Sequence, residues 1–502
     1  MHPQTPTAPI EKKRATTHTS RTTKPGLSLR RLRLFSQTVF LLLFLFLLVE
    51  TVYRGSFREL PEPIRPTYPV KIFLELDPLN ALATVLSTHS LYRGLLWAVL
   101  IIMATLLLGR FFCGWLCPLG TLNHLFGAIR RGEPSPKYIE RNRTRPWQSL
   151  KYYVLFGLLV AAVLGSVQIG LLDPISLTLR SIALALLPAL RYLVFTLLDA
   201  VYALRIPFLW LPADYLAQGL RATLFTPNPT YYHVGWLLGG IFLTILLLNR
   251  LIPRLFCRAI CPLGALLGLL ARFSLFGLEK YHEKCDDCNL CLLHCQGAAS
   301  PQGGVKWRAA ECTLCFNCQD VCPRDALRFR FFPELRTSVA LQPDLGRRGL
   351  LTGVFAGLAF LPLARVSPGV EKTPHPQRIR PPGSVEEAEF LARCLKCGTC
   401  MKICPTNALH PAWFEAGLEG LWSPVLIARV GYCVDSCVLC THVCPSGAIQ
   451  PLTEEEKLGK AGKHPVKIGL AFIDRGRCLP WAMATECIVC EEHCPTSPKA
   501  IR

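Results

Sequence analysis

The sequence predicts an α-helical membrane protein of four to five transmembrane helices, joined to two α+β bacterial ferredoxin-like polyferredoxin domains. Three observations carry that expectation. Apolar residues make up 51% of the 502 positions and gather in long runs. Lys and Arg exceed Asp and Glu by 21, and the basic residues flank those runs, the distribution that membrane orientation produces. The 24 cysteines all fall in short motifs, most of them closed by Cys-Pro.

The cysteine motifs set the cofactor chemistry. Five quartets occur: Cys285, Cys288, Cys291, Cys295; Cys312, Cys315, Cys318, Cys322; Cys394, Cys397, Cys400, Cys404; Cys433, Cys437, Cys440, Cys444; and Cys478, Cys487, Cys490, Cys494. The run C-x2-C-x2-C-x3-C-P is the thiolate pattern of bacterial [4Fe–4S] clusters: three thiols on a tight loop reach three corners of one cube, and the fourth often serves the neighbouring cluster. About five clusters are therefore expected. Zinc prefers two pairs separated by a longer loop. A disulfide framework is excluded by the length of the chain and the tight clustering of the thiols. Clusters are built in the reducing cytoplasm, so a cluster domain found outside must be exported with its cofactor.

Taken in order, residues 1–33 are a disordered basic tail, with Glu11 the single acid. The run at 34–53 is long enough to span a bilayer core of ~30 Å and is read as the first anchor, amino terminus in the cytoplasm. It is not a signal peptide, because the basic head is long and no small-residue cleavage site follows. Further spans are expected at about 92–109, 151–172 and 233–252, within a membrane domain of residues 34–275. The loop after the second carries Arg130, Arg131, Lys137, Arg141, Arg143 and Arg145, a cytoplasmic signature. The apolar stretch 176–212 is read as an outer-face hairpin interrupted by Arg180 and Arg191. That reading keeps FCGWLCPLG and FCRAICPLG, which are near copies, on one side of the membrane.

A first ferredoxin-like domain covers 276–335. Crossed ligation predicts one cluster on Cys285, Cys288, Cys291 and Cys322, the other on Cys312, Cys315, Cys318 and Cys295. Residues 345–367 open with Arg347-Arg348 before an apolar run, the form of a twin-arginine export signal, and are expected to be a fifth span or anchor. A Pro-rich linker (368–384) leads to a second cluster domain, 385–502. There the assignment of fourth ligands stays open: Cys404 and Cys444 exchange, or the second and third quartets pair.

The remaining thiols, Cys113, Cys117, Cys257 and Cys261, form two CxxxCP pairs. Thiols at i and i+4 share a helix face. Two pairs meeting would offer four thiolates to an iron–sulfur centre or another thiophilic metal; reduced structural or redox-active thiols at a helix end are the alternative. No C-x-x-C-H haem site and no Gly-rich nucleotide or flavin loop is present. Nucleic acid is excluded as a partner, because the charge does not form a stripe. His124 could be a proton acceptor or ligand, and Asp173 and Glu50 could take protons from a quinol, but they are read as ordinary interfacial and boundary residues.

Residues 30–330 resemble the NapH-type membrane quinol dehydrogenase subunit of periplasmic nitrate reductase systems and its MauN-like methylamine-utilisation relatives. The resemblance rests on the spans, the two CxxxCP motifs and the ferredoxin motifs after them. Residues 345–502 resemble the NapG/MauM-type exported ferredoxin, through Arg347-Arg348, RIRPPGSVEEAEFLARCLKCGTC and C-x8-C-x2-C-x3-CP. A fusion of the two is implied. So is oxidation of quinol, menaquinol by preference, in a bacterial cytoplasmic (inner) membrane, with electrons relayed to an exported redox acceptor. The tail and the first ferredoxin domain would then be cytoplasmic and the second domain periplasmic. NapG-type proteins carry a fourth quartet, which does not appear here before Arg502. Two other readings compete: a cluster-dependent copper reductase or oxidase-assembly factor, disfavoured by only four Met, and a redox-sensing or scaffold subunit.

Overall fold

The computed structural model describes residues 29–53, 70–90, 93–128, 139–140, 142–204, 207–226, 228–299, 307–333, 347–365, 378–460, 464–494, 499 and 501. Most of the expected basic tail and residues 368–377 of the Pro-rich linker lie outside the described residues. Helix α1 (Leu29–Glu50) already includes the last arginines of the expected tail and buries Arg33.

The helical part continues with α2 (Pro78–Thr88), α3 (Ala98–Leu108), α4 (Pro118–Ala128), α5 (Leu150–Val163), α6 (Pro174–Ala203), α7 (Pro207–Thr223), α8 (Gly235–Leu247) and α9 (Pro262–Leu270). Their starts follow local chemistry. Asp77, Asp173 and Cys261 each cap a helix whose first residue is proline, where no amide donor is lost. Gly109 and Gly165 end α3 and α5 in left-handed conformations, φ 88° and 83°, that favour glycine.

Among the described residues, two helices are long and apolar enough to cross a membrane, Leu29–Glu50 and Pro174–Ala203. The other expected spans are shorter. Helices α3, α5 and α8 have 11, 14 and 13 residues, which at ~1.5 Å per residue reach about 16–21 Å, less than a ~30 Å bilayer core. The apolar runs read from the sequence include residues that the structure turns into 3-10 segments and glycine stops.

The stretch around Arg180 differs from expectation. Arg180 does not interrupt a helix; α6 runs through it for 30 residues, with a π turn at Ile182–Leu186. The reason is that Arg180 finds carbonyl acceptors outside its own helix, described below. The second half of α6 does pack against α7 as a hairpin, through Leu198, Ala213 and Ala217.

Two cluster domains flank these helices. In the first, β1 (Phe276–Lys280) pairs antiparallel with β2 (Leu327–Phe331), Phe276 opposite Phe331. Helix α10 (Arg347–Arg365) then lies along α5. Gly349 meets the Tyr153 ring, Gly353 the Tyr153 backbone and Gly357 the Gly157 backbone, so the two helices run in the same direction. Small residues four apart permit this close approach, a device of helix pairs in membranes. After α11 (Glu387–Arg393), the second domain holds a short antiparallel ladder, β3 (Leu409–Pro411) with β4 (Pro424–Leu426).

Candidate metal centres

Cysteines line four cavities among the described residues. One is bounded by Cys285, Cys288, Cys291 and Cys322, another by Cys295, Cys312, Cys315 and Cys318. These are the two crossed sets expected from sequence. In the second domain, Cys394, Cys397 and Cys400 share a cavity with Cys444, while Cys433, Cys437 and Cys440 share one with Cys404. The structure thus favours the exchange of Cys404 and Cys444 over pairing of the second and third quartets.

These sets fit [4Fe–4S] clusters. Each cavity joins the three thiols of one loop to the fourth thiol of its neighbour, and none of the 24 cysteines is in a disulfide. Among the described residues, no three His, Cys, Asp or Glu side chains converge closely enough to hold a single ion. Burial pushes the Cys312 and Cys394 thiols up to about 12, so an electropositive ligand is needed to hold them as thiolates. A bound cluster supplies a one-electron carrier whose potential follows net charge, hydrogen bonds and solvent exposure.

The CxxxCP pairs come together. Cys261 lies within electrostatic reach of Cys257, Cys113 and Cys117, and Asn123 Nδ2 donates to Cys257 Sγ at 3.4 Å. The residue after the first cysteine of each pair touches the buried cluster loops of the first domain. At Gly114 a Cβ would collide with the Thr313 carbonyl, so this contact requires glycine. At the matching position, the Arg258 guanidinium donates to Cys295 O at 3.1 Å and Gln296 O at 2.8 Å. Trp115 Nε1 donates to Leu314 O at 3.0 Å. Arg110 completes the join: it donates to Ala310 O at 2.8 Å, and Nη2 lies 4.0 Å from Cys113 Sγ. Beside it, Lys151 and Tyr152 of α5 bind the buried Glu311, the residue before Cys312.

The second cluster domain docks beyond the other end of α5. Val167 N donates to Leu391 O at 3.3 Å, and Gly170 lies so close to the Leu395 carbonyl that no Cβ would fit. Arg180, fully buried, donates to Lys396 O at 2.7 Å and to Gly170 O and Leu171 O at 3.3 Å, and its guanidinium stacks 4.5 Å above Trp422. Tyr232 OH donates to Met401 O at 3.1 Å, and Asn407 Nδ2 to Tyr231 O at 2.7 Å. Lys396, between Cys394 and Cys397, bonds Gln168 Oε1 and Glu419 O. Burial pushes its ammonium down to about 7, against the pull of the Cys394 thiolate and Glu419. Lys457 holds the other cavity, donating to Cys433 Sγ at 3.3 Å.

Arg180 therefore brings a cation from α6 to one cluster cavity, with backbone carbonyls as its hydrogen-bond acceptors. Positive charge beside a cluster favours its reduced form. Arg180→Met is expected to lower the midpoint potential of that cluster, read by redox titration under EPR on the loaded protein. An unchanged midpoint would refute the assignment.

The fifth quartet stands apart. Cys487 and Cys490 are exposed, Cys478 and Cys494 half-buried, and no residue of the two helical turns around them is buried. Among the described residues, the quartet's cysteines line none of the four cavities above. Sequence reading missed Arg110, Lys151, Glu311 and Lys396 and passed over Asp77. The available signal was an ionisable residue at the edge of an apolar run, or inside a CxxC, where charge is costly unless used.

Comparison with known proteins agrees with this chemistry. Models described as a 4Fe-4S binding domain match residues 90–136 and 232–280, which contain the two CxxxCP pairs, and residues 391–410. The ferredoxin-type protein NapG of Escherichia coli (strain K12) is 32% identical over 170 residues, 33% of this chain and 69% of its own length. The methylamine utilization ferredoxin-type protein MauM of Methylorubrum extorquens is 33% identical over 165 residues, 31% of this chain and 69% of its own. YccM of Escherichia coli (strain K12), whose name assigns it to electron transport, is 25% identical over 339 residues, 66% of this chain and 80% of its own. No solved structure matches.

Proposed function

We infer the function from one premise: the chain belongs to the family of the ferredoxin-type proteins NapG and MauM. It is an iron–sulfur electron-transfer protein. Its particular role in our reading is that of a quinol dehydrogenase of the bacterial inner membrane, fusing a NapH-like membrane part to a NapG-like ferredoxin. It takes electrons from a quinol, menaquinol by preference, and delivers them to an exported redox partner. The first cluster domain faces the cytoplasm and the second lies outside. Cysteines 285–322 and 394–444 hold four clusters in the crossed sets, Cys478, Cys487, Cys490 and Cys494 a fifth, and Cys113, Cys117, Cys257 and Cys261 a further iron–sulfur centre.

One observation carries this reading. The two cluster domains sit at opposite ends of α5: Glu311 binds Lys151 and Tyr152 at its start, while Leu391 and Leu395 meet Val167 and Gly170 beyond its end. Helix α10 runs from the first end toward the second along the same helix. The CxxxCP segments pack against the cysteine loops of the first domain, and Cys117 lies within electrostatic reach of Asp173, just beyond the other end of α5. In our reading, electrons passing between the two cluster sets need a carrier in the gap, and these four thiols are the candidate for it.

The test is anaerobic iron and sulfide quantification with EPR on purified protein, before and after adding a menaquinol analogue. About 20 Fe for five clusters, or somewhat more with the CxxxCP centre, and reduced-cluster signals on quinol addition are expected. Full clusters that ignore quinol but are reoxidised by copper would move the protein to metal reduction. Clusters that ignore both would leave a sensing or scaffold role.

A further inference from the structure

Between the CxxxCP thiols and the second cluster domain lie two buried carboxyl groups on different parts of the chain. Asp77 and Asp173 are both fully buried, and the Asp173 carboxyl acts directly on that of Asp77. Asp77 Oδ1 accepts from Leu79 N at 2.8 Å and Oδ2 from Asn80 Nδ2 at 2.9 Å; Asp173 Oδ2 accepts from Ser176 N at 2.7 Å. Among the described residues, Asp173 Oδ1, Asn80 Oδ1 and Ser176 Oγ have no hydrogen-bond partner, although all three side chains are buried. Asn80 is bonded to the pair itself and Ser176 stands in the helix turn that Asp173 caps.

Two carboxylates that act on each other in a buried interior cannot both stay ionised; the pair keeps one proton between them. Burial first, and then the charge of Asp173, hold the Asp77 carboxyl well above the usual carboxylate range. Two other groups act on the pair. Arg180, on the helix that Asp173 caps, attracts its charge, and Cys117, at the start of α4, repels it. Those same two residues belong to the two redox regions: Cys117 to the CxxxCP quartet, and Arg180 to the docking face of the cavity of Cys394 and Cys397. Negative charge arriving on either side raises the proton affinity of the pair.

We propose that Asp77 and Asp173 form a proton-holding site that shares one proton at rest and takes a second when an electron enters the neighbouring thiolate region. Resting on the quinol reading above, the balance is simple. Each quinol O–H that breaks yields one electron and one proton. The electron goes to the one-electron carriers of the chain, iron–sulfur by class. The first proton ends on a carboxylate oxygen of the pair, leaving both acids neutral, and the second passes to water as the quinone forms.

The experiment is redox-difference infrared spectroscopy on the full-length, cluster-loaded protein in detergent. Wild type is expected to show the carbonyl stretch of a protonated carboxyl at neutral pH, shifted in D2O and stronger after electrochemical reduction. Asp77→Asn and Asp173→Asn should each lose it. Asparagine keeps an acceptor for the capped amides, and iron content checks loading; if one variant does not fold, the other decides. Absence of the band in wild type, or its persistence in a loaded variant, overturns the proposal. A reduction-linked band that electrochemistry elicits but a menaquinol analogue does not would keep the site and remove the quinol reading. Clusters reduced by quinol with no carboxyl change would do the reverse.

Discussion

Replacing Cys444 by alanine should strip iron from the first quartet of the second domain, not from its own. Cys444 shares a cavity with Cys394, Cys397 and Cys400. A [4Fe–4S] cluster that loses one of four thiolates keeps three at best, so the variant should hold about 4 Fe less than wild type. Cys404→Ala should lose a similar amount, from Cys433, Cys437 and Cys440. Iron content alone does not separate the two, but Arg180 does. It touches Lys396, and Gly398 lies against its stem, so the cluster of Cys394 is the one whose potential Arg180→Met should move. The Arg180-sensitive signal should vanish in Cys444→Ala and survive in Cys404→Ala. The opposite pattern would mean that each quartet closes on itself.

The residues that make clusters were legible because three of the four ligands are local: a C-x2-C-x2-C loop announces itself without tertiary structure. Crossing in the first domain was legible too, since two quartets there have one partner each. In the second domain three quartets compete, and only the fold separates them. It puts Cys444 opposite Cys394 and leaves Cys478 to Cys494 outside. Helix existence was legible from apolar runs; helix ends were not, because Gly109 and Gly165 act through φ angles that hydropathy does not register. The charges buried among the helices were invisible for a related reason. Lys151 reads as the edge of a span and Asp173 as its boundary until the partner is known, and the partners, Glu311 and Asp77, lie 160 and 96 positions away. Arg180 was misread as an interruption because its acceptors come from the loop before α6 and from Lys396, in another domain.

Glu311→Gln should be the most destabilising substitution at the junction of α5 with the first cluster domain. Glu311 is buried with Lys151 on one carboxylate oxygen, Tyr152 OH on the other at 3.0 Å, and Arg110 at 3.6 Å. Both cations are themselves buried. Neutralising the one acid leaves two buried positive charges facing each other, and breaking a buried pair costs about 3–5 kcal/mol. The cost falls on the segment that carries Cys312, so the buried cluster should be lost together with the packing. Lys151→Met alone should cost less, because Arg110 and Tyr152 still answer the carboxylate. Lys151→Met with Glu311→Gln should recover part of the loss, since one of the two stranded cations is gone. That non-additivity is what separates a charge network from simple packing. Thermal unfolding of the loaded protein in detergent, followed by iron release, reads all three. If Glu311→Gln melts with wild type, or the double variant falls below it, the junction is not held by these charges. The docking would then rest on Trp115, Arg258 and the close approach of Gly114 to Thr313.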